Sequence, residues 1–274
     1  MAVKQTAAAK KQQAWRNRYG AWAVVTGASE GIGYEIACAL AEKGLNLVLV
    51  ARRQAVLEEL ASKLTRQFGV EVHVIAADLS QAGAVQRLIQ ATAALDVGLL
   101  VASAGFGTSG NLVEASLEQE LNMLDVNCRS VLALVHPFAR RFVTQQRGGL
   151  VLMSSLLAFQ GVPRSANYAA SKAYVQTLAE GLRLELAPLG VDVLSAAPGP
   201  VKTGFAARAN LQMGMALHPR VVARQILEAL GRKTTVRPGW LSVLLEGSLT
   251  GLPRNLRSRI LGKVMQGMTK HQTA

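Results

Sequence analysis

Short apolar runs recur along the chain, separated by longer stretches whose apolar positions return every three or four residues. The runs WAVVT (22–26), LNLVLVA (45–51), VEVHVIA (70–76), GLLVA (98–102), GLVLMS (149–154) and GVDVLSA (190–196), with a short one near 233–236, read as strands. The stretches near 31–43, 54–68, 81–94, 117–146, 165–187 and 219–231 read as helices. Runs this continuous suit strands covered on both faces. Their alternation with helices predicts right-handed βαβ units and an α/β fold, a doubly wound parallel sheet. No repeat or low-complexity linker interrupts the rhythm, so residues 21–238 read as one domain. A basic segment, 1–20, precedes it, and an apolar, basic helical extension, 239–274, follows.

Two segments depart from the pattern. Residues 198–218 form a loop rich in Pro, Gly and Met, where Phe205, Leu211, Met213, Met215 and Leu217 could line an adaptable apolar pocket or pack on the core. In the extension, Leu256, Ile260, Leu261, Val264, Met265 and Met268 follow helical spacing, with Arg254, Arg257, Arg259 and Lys263 between them. Such a helix suits packing on the domain or on another subunit. It also suits peripheral contact of residues 253–274 with a membrane.

Composition narrows the picture. The formal charge is +13, from 30 basic and 17 acidic residues. That balance suits a basic surface, anionic small molecules or an acidic membrane. Aromatics are only 5% and the basic residues are scattered, which argues against nucleic acid. No apolar h-region follows the N-terminal lysines, and Cys38 and Cys128 lack metal-type spacing. A cytoplasmic protein without disulfides or metal is expected.

Candidate chemistry lies at two places. Gly27, Gly31 and Gly33 follow an apolar strand and open a helix. Glycines in that context allow a tight turn, approach of a pyrophosphate to bare backbone, and close packing of helix on strand. About twenty residues on, an acid would hold the ribose 2′-hydroxyl of NAD. Here the strand ends in Arg52 and Arg53, which favours the 2′-phosphate of NADP(H), although Glu30 nearby would repel it. Asp78-Leu79 could place a carboxylate near the adenine or cap the helix that follows. Farther along, Tyr168 and Lys172 stand one helical turn apart. A tyrosine is a poor acid–base near its ordinary pKa, but an ammonium and an oxidised nicotinamide would lower it. Ser155, at a strand end, could steady a substrate oxygen. Ser154 is the adjacent candidate and points to the opposite face.

The chain resembles the short-chain dehydrogenase/reductase family, built on a Rossmann fold. The likeness rests on TGASEGIG (26–33), Asp78-Leu79, Ala104-Gly105, Asn127, Ser155, Tyr168 with Lys172, and Pro198-Gly199-x-Val201-x-Thr203. It implies that Tyr168 is the general acid in reduction, that Lys172 lowers its pKa, and that Ser155 positions the carbonyl. It further implies that Asn127 holds a water in a proton relay and that Thr203 binds the nicotinamide carboxamide. The same likeness places Thr26, Ser29, Ile32, Ala104, Gly105, Pro198, Gly199 and Val201 at the cofactor. Homodimers or homotetramers through 117–146 and 165–187 are implied too. One departure stands out: the family's Asn-Asn-Ala-Gly reads Ala102-Ser103-Ala104-Gly105 here, which puts the bracing of the central strand in doubt. A looser likeness to 3-oxoacyl-CoA reductases and 17β-hydroxysteroid dehydrogenases implies an NADPH-dependent reductase of a hydrophobic ketone, such as a 3-oxoacyl thioester, steroid-like or other lipid substrate. The alternative is a non-catalytic NADP(H)-binding sensor or scaffold, peripheral to a membrane through its tail.

Overall fold

The computed structural model describes residues 7–239, 242 and 251–272. Lys4 of the basic segment, and 240–241 and 243–250 of the extension, lie outside the described residues. The chain runs α1 (Ala7–Tyr19), β1 (Trp22–Thr26), α2 (Gly31–Glu42), β2 (Asn46–Ala51), α3 (Gln54–Phe68), β3 (Val72–Ala76), α4 (Ala84–Ala91) and β4 (Val97–Ala102). It continues through α5 (Leu117–Leu124), α6 (Ser130–Thr144), β5 (Gly148–Met153), α7 (Ala166–Leu186), β6 (Val191–Ala196), α8 (Phe205–Arg208), α9 (Pro219–Ala229), β7 (Thr235–Val236) and α10 (Arg254–Met268).

The seven strands form one parallel sheet in the order β3-β2-β1-β4-β5-β6-β7. Strand alternation divides the core into two layers. Val25, Leu49 and Val101 pack beneath α2, α3 and α9. Val24, Val50 and Leu100 pack against α4, α6 and α7. Both faces of the central strands are covered, which is why β1, β4 and β5 read as nearly continuous apolar runs.

Three differences from the sequence reading have physical causes. The stretch 117–146 is a continuous helix that is not regular: a π-turn over Asp125–Arg129 lies inside it, between α5 and α6, and carries Asn127. Asp78 does not cap a helix. Its carboxylate accepts from the Ser80 N–H (3.0 Å) and hydroxyl (2.8 Å) in a turn, and α4 starts later, after Gly83 at φ 75°. The basic N-terminal segment contains a helix, α1, pinned to the sheet by a buried carboxylate. Asp192 accepts from Arg18 Nε (2.7 Å) and from the Tyr19 hydroxyl (2.9 Å). No helix among the described residues is long and apolar enough to cross a membrane.

Candidate active site

A cavity of about 690 Å³ lies over the C-terminal ends of the strands, where the loops after β1 and β4 diverge. That is the switch point at which doubly wound sheets bind ligands. Apart from Thr26 and Asn127, every residue assigned from sequence to catalysis or cofactor lines this cavity.

The glycine loop forms one wall. Gly31 adopts φ +62°, and a Cβ there would stand 2.9 Å from Thr203 Cγ2. A Cβ on Gly33 would strike the Gly27 carbonyl. Only bare backbone lets α2 begin this close to the β1 turn, with its first N–H groups opening on the cleft. An anion there would meet the positive end of the helix.

Arg53 and Arg52 differ. Arg53 pairs with Glu30 at 2.7 Å and donates to Ser29 Oγ at 3.1 Å. The nearby acid is thereby answered by Arg53; both arginines line the cavity, and among the described residues Arg52 makes no ion pair. Burial pushes the Asp78 carboxyl up, but the Ser80 N–H and hydroxyl, with Arg52 and Arg208, outweigh it and hold the pKa low. The cleft fits a dinucleotide: a glycine floor and a helix N-terminus for the pyrophosphate, with guanidinium groups on its wall.

Thr26 and Asn127 brace the walls from behind. Thr26 Oγ1 accepts from the Ser103 (3.1 Å) and Ala104 (3.0 Å) backbone N–H groups and donates to the Val101 carbonyl (3.4 Å). This hydroxyl ties down the end of β4, where the family's asparagines are missing. The Asn127 amide donates to the Phe106 carbonyl (2.8 Å) and to Ser171 Oγ (3.1 Å), and its oxygen accepts from the Phe106 N–H (3.1 Å). Both side-chain donors are thus engaged with protein atoms.

Ser155, Tyr168 and Lys172 converge, all buried. Ser154 Oγ donates to the Lys172 carbonyl at 3.0 Å, whereas the Ser155 hydroxyl accepts from the Leu157 N–H at 3.2 Å and neighbours Tyr168. Lys172 Nζ donates to the Met153 carbonyl at 2.9 Å and lies 5.8 Å from the centroid of the Tyr168 ring. Burial pushes Tyr168 up to about 12, with Ser155 pulling it back. Burial also lowers Lys172 to about 8. The sequence reading expected the lysine to lower the tyrosine. In the protein by itself burial is the larger effect on Tyr168. The Phe205 ring stands 5.4 Å from that of Tyr168.

The family model for short chain dehydrogenase matches residues 21–214. The chain belongs to the short-chain dehydrogenase family. It is an oxidoreductase that works with a nicotinamide cofactor. It is 33% identical over 258 residues to a 7beta-hydroxysteroid dehydrogenase of Clostridium sardiniense, spanning 93% of this chain and 99% of that one. A very-long-chain 3-oxoacyl-CoA reductase of Podospora anserina is 38% identical over 64% of this chain and 53% of its own. Among solved structures, one from a study of 7beta-hydroxysteroid dehydrogenase stereoselectivity superposes with a TM-score of 0.82 at 29% identity, covering 90% of this chain and 98% of that one. A short-chain dehydrogenase from Sphingobium yanoikuyae in complex with NADPH gives 0.76 at 27% identity, covering 85% and 96%.

This short-chain dehydrogenase closes its cavity with parts that sequence reasoning placed only loosely. Of the loop residues, Phe205, Leu211 and Met213 line the cavity, Leu217 packs on the core and Met215 is 71% exposed. The tail helix α10 lies along the opening. Its Leu261 and Met265 are buried against Val162 and Ala169, while Leu256, Ile260 and Val264 remain partly exposed. Two basic residues were missed. Arg208 lies over the Phe106 ring, 3.6 Å from its centroid. Burial, then repulsion from Arg52, lowers its pKa. Arg257 faces the cavity from α10. Helical spacing from Phe205 and from Leu261 carried the signal for both.

Proposed function

We propose that the chain is an NADPH-dependent carbonyl reductase acting on a hydrophobic ketone. The observation that carries this reading is the buried trio of Ser155, Tyr168 and Lys172 at the inner end of an apolar cavity whose other end offers Arg52. The reduced nicotinamide, when bound, supplies hydride to the carbonyl carbon. Tyr168, protonated at neutral pH like any phenol, gives its O–H proton to the ketone oxygen, and the product is the alcohol. Ser155 donates a hydrogen bond to that oxygen as negative charge develops there. Lys172, with a pKa near 8, is charged at neutral pH and can return a proton to Tyr168 while holding the cofactor ribose. Asn127 keeps Phe106 and Ser171 in place around them.

The substrate class follows from the walls. Leu157, Leu211, Met213, Leu261 and Met265 offer an apolar, deformable surface. Similarity to the steroid and 3-oxoacyl-CoA enzymes supports a lipid-like ketone. The test is NADPH consumption with hydrophobic ketones and 3-oxoacyl thioesters, with Tyr168→Phe in parallel. We expect turnover in the parent and a loss of about 10²- to 10⁴-fold in the variant, with NADPH affinity kept. Undiminished turnover in the variant would overturn the role of Tyr168. Tight NADPH binding without turnover of any ketone would favour the sensor reading.

A further inference from the structure

Along α10, the residues that face the cavity are Arg257, Leu261, Val264, Met265 and Met268. They recur at helical spacing as one stripe. Four are apolar, and the first is a guanidinium. Its Nε is buried and has no acceptor. Among the described residues no carboxylate pairs with it, unlike Arg18, Arg53, Arg129, Arg147 and Arg183, each of which has one. The helix offers no partner either, since RNLRSRILGKVMQGM contains no acid.

An arginine keeps its charge in any protein environment. A buried N–H without an acceptor is destabilising, and more so next to a charge. The same stripe could close the cavity with another leucine at no such cost. A cation retained there suits an anion that arrives with the ligand. Guanidinium matches carboxylate and phosphate oxygens with paired hydrogen bonds.

We propose that Arg257 is a substrate-binding residue and that the substrate is an amphipathic ketone carrying an oxoanion at the end remote from the carbonyl. The placement sets the shape. Leu157 packs both against Tyr168 and against the Leu261–Met265 cluster. Arg257 precedes Leu261 by about one turn, a rise of about 6 Å, and Met265 by about two turns, about 12 Å. The carbonyl would lie at Tyr168, the apolar body along Leu261 and Met265, and the anion at Arg257. The positive field of Arg254, Arg259 and Lys263 on the same helix would draw such a ligand in. This inference rests on the reductase reading for where the carbonyl sits, but its test does not need turnover.

The test is calorimetric binding to the NADP⁺-loaded protein, in which a ketone cannot be reduced. One ligand pair is an oxostearate and its methyl ester. A second is a 3-oxoacyl-CoA and its N-acetylcysteamine thioester. For the parent we expect the anionic member of one pair to bind about 10-fold more tightly or better, the gain shrinking with salt. Arg257→Gln should bring it down to the neutral member, and Arg257→Lys should restore part of the preference. NADPH affinity and melting temperature report that each variant is folded. A preference in the acid–ester pair assigns a carboxylate, and one in the thioester pair assigns the phosphates. Equal binding of both members in both pairs, no binding of any, or a preference that survives Arg257→Gln would overturn the proposal. If the preference is lost in Arg257→Gln yet no ketone is ever reduced, the anion site stands and the reductase reading falls.

Discussion

Arg52 and Arg53 are adjacent in sequence and differ in their partners. Both line the cleft, but Arg53 is paired with Glu30 whereas Arg52 has no carboxylate partner among the described residues. Arg52→Ala should therefore weaken NADPH by about 10- to 100-fold and leave NADH nearly unchanged, as a lost charge-assisted contact to one phosphate requires. Arg53→Ala should affect both cofactors slightly and alike. Fluorescence titration of the two dinucleotides separates these outcomes. Equal loss of both with Arg52→Ala would mean that Arg52 does not read the extra phosphate. Lys172 makes a second residue-level prediction, in the pH dependence of stability. Its pKa is lowered by burial from 10.5 to about 8 in the folded protein. Below that value both states carry the proton, and the fold bears the burial of an ammonium. From about 8 to 10.5 the unfolded chain binds more protons than the folded one, so this group's contribution to stability rises with pH. Urea midpoints of the parent minus those of Lys172→Met should rise across that window. A flat difference would place the lysine pKa at its ordinary value.

At the scale of elements, the tail behaves as a clasp. The Met268 carbonyl accepts from the Gln212 N–H at 2.9 Å. Past the end of α10, Gln272 donates to Ser109 Oγ (2.8 Å) and to the Asn210 carbonyl (2.7 Å), and His271 Nε2 meets Asn210 Oδ1 at 2.9 Å. These bonds tie the tail to the loop that carries Phe205 and Arg208. Ending the chain after Lys270 removes the Gln272 and His271 bonds and keeps the buried Thr269. Limited trypsin digestion should then cut after Arg208 severalfold faster, because local opening governs such cleavage. An unchanged rate would mean that α8 is held from elsewhere. The π-turn is the other element that matters. It inserts an extra residue between α5 and α6, where it turns Asn127 toward Phe106. Turns of this kind are frequent at functional sites.

At the scale of the whole molecule, one carboxylate fastens the N-terminal helix to the sheet at the N-terminal ends of the strands, the end opposite the cavity. Asp192, with a side chain only 5% exposed, answers Arg18, Tyr19 and Arg183 together. Asp192→Ala would leave the Tyr19 hydroxyl buried without its acceptor and two guanidinium groups without their carboxylate. We expect a loss of about 2 to 4 kcal/mol in urea unfolding, less than a fully buried pair because Arg18 is half exposed. NADPH affinity, set at the other end of the strands, should not change. A loss below about 0.5 kcal/mol, the usual range of surface changes, would show that α1 is not fastened there.

The sequence by itself determined the alternation of strands and helices, because strands buried on both faces must be apolar throughout. It also marked the candidate residues, because glycines at a strand–helix turn and a tyrosine one turn before a lysine are local patterns, which the family resemblance turned into expected roles. Contacts between distant segments were decided only by the tertiary structure. Which arginine is available depends on where Glu30 lies. Which serine meets Tyr168 depends on how β5 ends beneath α7. Thr26 takes over the bracing of β4 only because β1 and β4 are neighbours in the sheet. The tail shows the limit best: its helical spacing was legible, but Leu261, Met265 and Arg257 became a wall of the cavity only when the chain returned across Val162 and Ala169. Periodicity records which positions share a face, and packing alone decides what that face meets.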